Sequence, residues 1–155
     1  ASRCRSKRRR ARGHRRARAG MTAYESSCPE DDPERTCIVR VCRDCCCGTE
    51  SKHPGVDHDG LLARLEVGTR GRARVLRSGC LLACDESNVV VVTPSAVGRR
   101  AGGRPVWVRA VLDGASVDAI SGWVRQGGPG VAEPGAEVAE RAFAPSGLSL
   151  TWSAV

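Results

Sequence analysis

The residues of this chain best suited to chemistry are its cysteines, of which there are nine. Six of them fall in two short clusters, the first made of Cys42, Cys45, Cys46 and Cys47 and the second made of Cys80 and Cys84. Thiolates are soft ligands that favour zinc, copper(I) and iron–sulfur clusters, and four of them are the usual ligand set of a zinc site or a 2Fe-2S centre. The two clusters together therefore predict a metal site.

Each cluster adjoins a predicted β-strand. Residues 36–41 are a short β-prone run that stops at Cys42. Residues 88–93 (NVVVVT) follow Cys84 after a short gap and are typical of a strand buried on both faces. Loops at the ends of neighbouring strands can supply four thiolates to one centre, so the strands are expected to bring the clusters together.

The remaining elements indicate an α/β fold. A helix capped by Asp57 is predicted over 58–67 and a strand over 72–76, and a further strand is predicted over 105–112. Ser116 is the predicted cap of a last helix, whose apolar face is formed by Val117, Ile120 and Val124. The order strand–helix–strand, then strand–strand–helix, predicts a mixed sheet with helices packed on it.

The formal net charge of +8 is confined to one end of the chain. Residues 1–20 contain ten Arg and Lys residues and no acidic residue, which leaves fifteen basic and seventeen acidic residues in the rest. We therefore predict a disordered N-terminal segment over 1–35, basic and then acidic, a single domain over 36–128 and a C-terminal tail over 129–155 with a short helix near 136–143. The basic arm either contacts nucleic acid or acidic partners, or belongs to an over-extended reading frame, which the first Met at position 21 suggests.

Several classes of function are disfavoured by composition. Aromatic residues make up only 3% of the chain, which is too few for the stacking platforms of single-strand nucleic-acid binders. There is no apolar run near the roughly 20 residues of a membrane span and no secretory signal pattern, so a cytoplasmic protein is expected. No Ser-His-Asp set, phosphate loop or paired-carboxylate site is visible, so no enzymatic activity is expected. His53 and His58 are expected to be solvated or capping residues.

The cysteine pattern resembles that of one known family. A strand followed by Cys-x4-Cys-Gly (Cys42 to Gly48), a helix, and then Cys-x3-Cys before a Val-rich strand is similar to the thioredoxin-like 2Fe-2S ferredoxins. This family includes free bacterial ferredoxins and the small ferredoxin-like subunit of NADH dehydrogenases, and the similarity covers about residues 36–126. The resemblance implies a thioredoxin-like fold, one-electron transfer with reductase or oxidoreductase partners, and a homodimer. The cluster ligands that it implies are Cys42, Cys47, Cys80 and Cys84.

Other interpretations remain open because Cys45 and Cys46 are extra thiols, either of which can substitute for a ligand. Cys42 and Cys45 together with Cys80 and Cys84 would also satisfy a tetrahedral zinc site, and zinc or a labile cluster would suit a regulatory or sensing module. Cys42-x-x-Cys45 is formally a dithiol-exchange motif. Cys37 is expected to be a buried core residue, and Cys4 and Cys28 are expected to be free thiols. The cations beside the loops, which would raise a cluster's reduction potential, are Arg43, Lys52 and Arg77.

Overall fold

The computed structural model describes residue 32 and residues 34–147, which form a mixed five-stranded sheet with four α-helices. The strands are β1 (Cys37–Cys42), β2 (Ala73–Ser78), β3 (Val90–Thr93), β4 (Val106–Val108) and β5 (Ala142–Phe143). The helices are α1 (His58–Gly68), α2 (Ala96–Arg100), α3 (Gly114–Arg125) and α4 (Ala136–Arg141). The predicted α/β class with a mixed sheet is confirmed. The N-terminal segment up to residue 31, with Cys4 and Cys28, lies outside the described residues.

The sheet topology brings three chain segments to one edge. The strand order is β2-β1-β3-β4-β5, with β1 and β2 parallel and every other neighbouring pair antiparallel. The register pairs Cys42 with Ser78 and Val41 with Val90. The carboxyl ends of β1 and β2 and the amino end of β3 therefore lie together, and these are the points where the two cysteine clusters join the sheet.

Helices cover one face of the sheet and form the larger apolar core with it. Alternate β-strand residues point into this core, including Val39 and Val92, both completely buried. Ile120 of α3 is also completely buried against them, and helices α1 and α4 contribute Leu65 and Val138. Helix α1 begins at the predicted cap, where the Asp57 carboxylate accepts a hydrogen bond from the Gly60 amide. Within the described residues, no helix is long and apolar enough to cross a membrane.

The last third of the described chain differs from the sequence-based prediction in detail. The strand predicted over 105–112 ends at Val108, because Ala110 has a left-handed φ of 50° that breaks the extended backbone. The cap of α3 is Asp113 rather than Ser116, whose amide donates to the Asp113 carboxylate. In the predicted tail, residues 136–143 form the expected short helix and also β5, which pairs with β4. The link between β3 and β4 contains α2, which was not predicted.

Candidate metal centre

Backbone hydrogen bonds hold the first cysteine loop against the ends of β2 and β3. The amide of Cys42 donates to the carbonyl of Val89 at 3.0 Å, and the amide of Arg43 donates to the carbonyl of Ser78 at 3.0 Å. The chain then turns through a short 3-10 helix, Cys46–Gly48. Glycine is required at position 48, because a Cβ there would collide with the carbonyl oxygen of Arg43. The tight turn places the first cluster beside the second.

Six thiols meet at this edge of the sheet in overlapping groups. The sulfurs of Cys42, Cys45 and Cys47 all lie within 4.8 Å of one another, and the same holds for Cys46, Cys47 and Cys84. Within the first group, the Cys42 and Cys45 sulfurs are 3.4 Å apart. The Cys80 and Cys84 sulfurs are 3.8 Å apart. A tetrahedral metal with metal–sulfur bonds of about 2.3 Å holds its sulfurs about 3.8 Å apart, so these spacings are close to those of ligands that share an ion.

The four cysteines singled out by the family resemblance are linked through these groups. Cys42 is grouped with Cys47, Cys47 with Cys84, and Cys84 is in contact with Cys80. Cys80 belongs to neither group of three. Cys37 lies apart in the helix-covered core, where it is completely buried and its thiol donates to the Gly127 carbonyl, which confirms its predicted role. The seven cysteines of the described residues are all free thiols.

The thiols occupy a second, smaller apolar cluster on the other face of the sheet. Leu81, Val91 and Trp107 pack with Cys42 and Cys47, and all of them are buried. Three further cysteines, Cys45, Cys80 and Cys84, are half-buried, and Cys46 is exposed. The centre therefore has a dry inner side, formed by the first loop and the sheet, and an outer side at the protein surface.

Burial makes three of these thiols weak acids in the absence of a metal. It raises the pKa of Cys42, of Cys47 and of Cys84 to about 12 in each case. Hydrogen bonds from the Leu81 backbone to Cys42 and from the Ser87 side chain to Cys47 favour the thiolate, but burial prevails. These thiols therefore hold their protons at neutral pH, and a metal that binds them must displace the protons.

Lys52 connects the two cysteine loops. Its ammonium group donates to the Cys84 carbonyl at 2.6 Å and lies 3.9 Å from the Cys47 sulfur. Of the other two cations predicted to flank the centre, Arg77 forms an ion pair with Asp44 at 2.9 Å. Arg43 is buried and donates to the carbonyl of His58. Lys52 is thus the cation of the three that hydrogen-bonds to a cysteine sulfur.

Sequence reasoning missed the polar residues that lie behind the thiols. Ser87 interacts with Cys47 and also forms a 2.9 Å hydrogen bond with Nε2 of His53. Its position three residues after Cys84 was the only signal available in the sequence. The expectation that His58 is solvated or a cap was wrong: His58 is buried at the start of α1, where its backbone carbonyl accepts a hydrogen bond from the buried Arg43 side chain.

Comparison with known proteins adds no relative to this description. No protein-family model, no curated protein and no solved structure matches the chain. The cysteine groups can hold a metal ion, and the function has to be inferred from their geometry.

Proposed function

We propose that this protein is a one-electron carrier of the thioredoxin-like ferredoxin type, with a 2Fe-2S cluster held by Cys42, Cys47, Cys80 and Cys84. When bound, such a cluster takes up and releases a single electron. Electron transfer makes and breaks no covalent bond in a substrate, so this proposal includes no enzymatic activity.

The observation that carries the proposal is the convergence of two thiol pairs from two separate loops. One pair, Cys80 and Cys84, has its sulfurs 3.8 Å apart. The other pair, Cys42 and Cys47, has its sulfurs within 4.8 Å, and Cys47 also lies within 4.8 Å of Cys84. A 2Fe-2S centre needs two thiolates on each iron. Two adjacent pairs of the right ligand type fit that need.

The strand arrangement supports the thioredoxin-like part of the proposal. In the sheet, a parallel β1–α1–β2 unit is extended on the β1 side by the antiparallel strands β3 and β4, and α3 follows β4. This is the element order expected from the family resemblance. It places the first loop after β1 and the second loop between β2 and β3, so that the sheet orients both ligand pairs.

The uneven burial of the ligands indicates where electrons would be exchanged. Cys42 and Cys47 are buried, whereas Cys80 and Cys84 are half-buried next to Leu82, which is 47% exposed. The first pair would shield the centre from water, and the second would face a reductase or oxidoreductase partner. A homodimer, also implied by the resemblance, would have to leave this second loop accessible.

Iron and sulfide analysis is the direct test. The chain purified without oxygen should be red-brown, contain about two irons and two sulfides, and become paramagnetic on one-electron reduction. Cys80→Ser should lose the colour, whereas Cys37→Ala, which alters a thiol in the helix-covered core, should keep it. Colourless protein that contains one tightly bound zinc would refute the proposal.

Zinc binding in a regulatory module is the second candidate, and the contact between Cys42 and Cys45 favours it. Their sulfurs are 3.4 Å apart, and with Cys80 and Cys84 they would complete a tetrahedral set. Cys45→Ser distinguishes the candidates, since it should abolish zinc binding and leave a 2Fe-2S cluster intact. Dithiol exchange is less well supported, because it needs a thiol with a lowered pKa and burial raises that of Cys42 to about 12.

A further inference from the structure

Two thiols of the centre have no role in the proposed four-ligand cluster, although both lie against its ligands. Cys45 completes a group with Cys42 and Cys47, which we call the inner set. Cys46 completes a group with Cys47 and Cys84, which we call the outer set. In each set the three sulfurs lie within 4.8 Å of one another, and Cys47 belongs to both. The extra thiols thus form two three-sulfur sets with three of the four proposed ligands, and the two sets share Cys47.

The chemistry of a three-thiolate set favours a soft monovalent ion. Thiolates select copper(I), zinc and iron–sulfur clusters among the metals of the cell. Zinc takes four protein ligands in structural sites, whereas copper(I) is stable with three sulfur ligands. The inner set also has a dry environment, since its Cys42 and Cys47 pack with buried Leu81 and Trp107. Exclusion of water protects copper(I) from oxidation.

We propose that the protein, when it holds no iron–sulfur cluster, binds two copper(I) ions, one in the inner set and one in the outer set, with the Cys47 thiolate shared between them. Five thiols release their protons and no electron is transferred. Five thiolates and two monovalent cations leave three negative charges at the site. Lys52, whose ammonium group is 3.9 Å from the Cys47 sulfur, supplies a neighbouring positive charge.

The two copper sites and the proposed iron–sulfur cluster occupy the same group of cysteines but need different thiols. The cluster requires Cys80, which is a member of neither set, and it does not require Cys45 or Cys46. The copper sites require Cys45 and Cys46 and do not require Cys80. The inference rests on the metal centre and not on electron transfer, and serine variants of these three residues separate the two proposals.

The test is a copper titration of the full chain. Cys4 and Cys28 are replaced by serine in every sample, and the protein is freed of iron without oxygen. Copper(I) is added as its acetonitrile complex against bathocuproine disulfonate, a coloured competitor. The parent chain, Cys80→Ser and the core control Cys37→Ala should each hold two copper ions. Cys45→Ser and Cys46→Ser should each hold one, with affinity for the other ion reduced at least tenfold.

Reconstitution of the same samples with iron and sulfide gives the reciprocal result. Cys45→Ser and Cys46→Ser should assemble a 2Fe-2S cluster, and Cys80→Ser should not. Far-ultraviolet circular dichroism tests whether each variant is folded, and Cys46→Ser alters an exposed side chain. A parent chain that holds one copper ion, or single variants that both keep two, would overturn the copper proposal. A parent chain that binds two copper ions but assembles no cluster would overturn only the ferredoxin proposal.

Discussion

The two faces of the sheet differ in the side chains that pack against their apolar residues. On the helix-covered face, side chains such as Val39, Val92 and Ile120 pack against one another and against three helices. On the opposite face, which we call the thiol face, Leu81 and Trp107 pack against buried cysteines instead. The first face is stabilised mainly by apolar burial, and its Cys37 thiol donates to the Gly127 carbonyl. The second face buries thiols that can ligate a metal, so a bound metal should contribute to the stability of this face in particular.

The largest expected effect comes from removing one ligand on the thiol face. The Cys84 sulfur lies 3.8 Å from that of Cys80 and within 4.8 Å of those of Cys46 and Cys47, so Cys84→Ser removes the thiol that joins the two loops. We expect loss of a 2Fe-2S cluster or of zinc, measured as metal per chain with the helical circular dichroism retained. Of the two proposed copper ions we expect loss of one, because the inner set does not contain Cys84. Full metal content in Cys84→Ser would contradict the assignment of the second loop to the centre.

The corresponding change on the helix-covered face should affect stability and leave the metal in place. Ile120 is completely buried in that core. We expect Ile120→Ala to lower the free energy of unfolding by about 2–5 kcal/mol, measured by denaturant titration, because it removes buried methyl groups and leaves a cavity. Metal content per folded chain should be unchanged. A parallel loss of metal affinity would show that the two faces are not energetically separate.

The pH dependence of stability can sharpen the comparison. The thiols of Cys42, Cys47 and Cys84 have an ordinary pKa of 9.0 when unfolded and a pKa of about 12 in the folded, metal-free protein. The folded state therefore holds these protons more tightly, and the resulting stability is complete below about pH 9 and is lost as the pH rises towards 12. We expect the melting temperature of the metal-free protein to fall across this range.

Two controls accompany the pH series. Cys84→Ser should show a shallower fall in melting temperature than the parent, because one of the three raised pKa values is removed. Metal-loaded protein should lack the thiol contribution altogether, since its ligands carry no protons. Identical pH profiles for the metal-free parent and Cys84→Ser would rule out these thiols as the cause.

The smallest expected effect concerns the charge beside the thiol face. If the protein carries a redox-active cluster, Lys52→Met should lower the reduction potential by tens of millivolts. The reduced cluster is more negative than the oxidised one, and the variant lacks the cation that stabilises it. Lys52→Arg keeps the positive charge and should therefore keep most of the parent's reduction potential. Arg77→Met is the matched control, because it removes the same charge from a residue that is paired with Asp44 at the surface. Equal potentials for Lys52→Met and Arg77→Met would remove the specific role of Lys52.

Much of the fold was predictable because the hydrophobic pattern is strong in its first half. Residues 36–41 and 58–67 were predicted as strand and helix, and the structure has β1 at Cys37–Cys42 and α1 at His58–Gly68. Prediction failed where tertiary contacts act. Ala110 turns the chain out of β4 so that its amide can donate to the carbonyl of Glu86. The two-residue strand β5 has no pattern of its own and exists because it pairs with β4.

The sequence by itself determined which residues could form a metal centre, since the two clusters and the Val-rich run after them are explicit in the order of residues. Only the tertiary structure decided which thiols are neighbours. The register that pairs Cys42 with Ser78 brings the two loops together, and no spacing along the chain contains that register. The position of Lys52 was likewise decided by the tertiary structure, because its hydrogen bond to the Cys84 carbonyl joins residues from separate loops. Contacts between loops depend on how strands align, and strand alignment is a property of the assembled sheet.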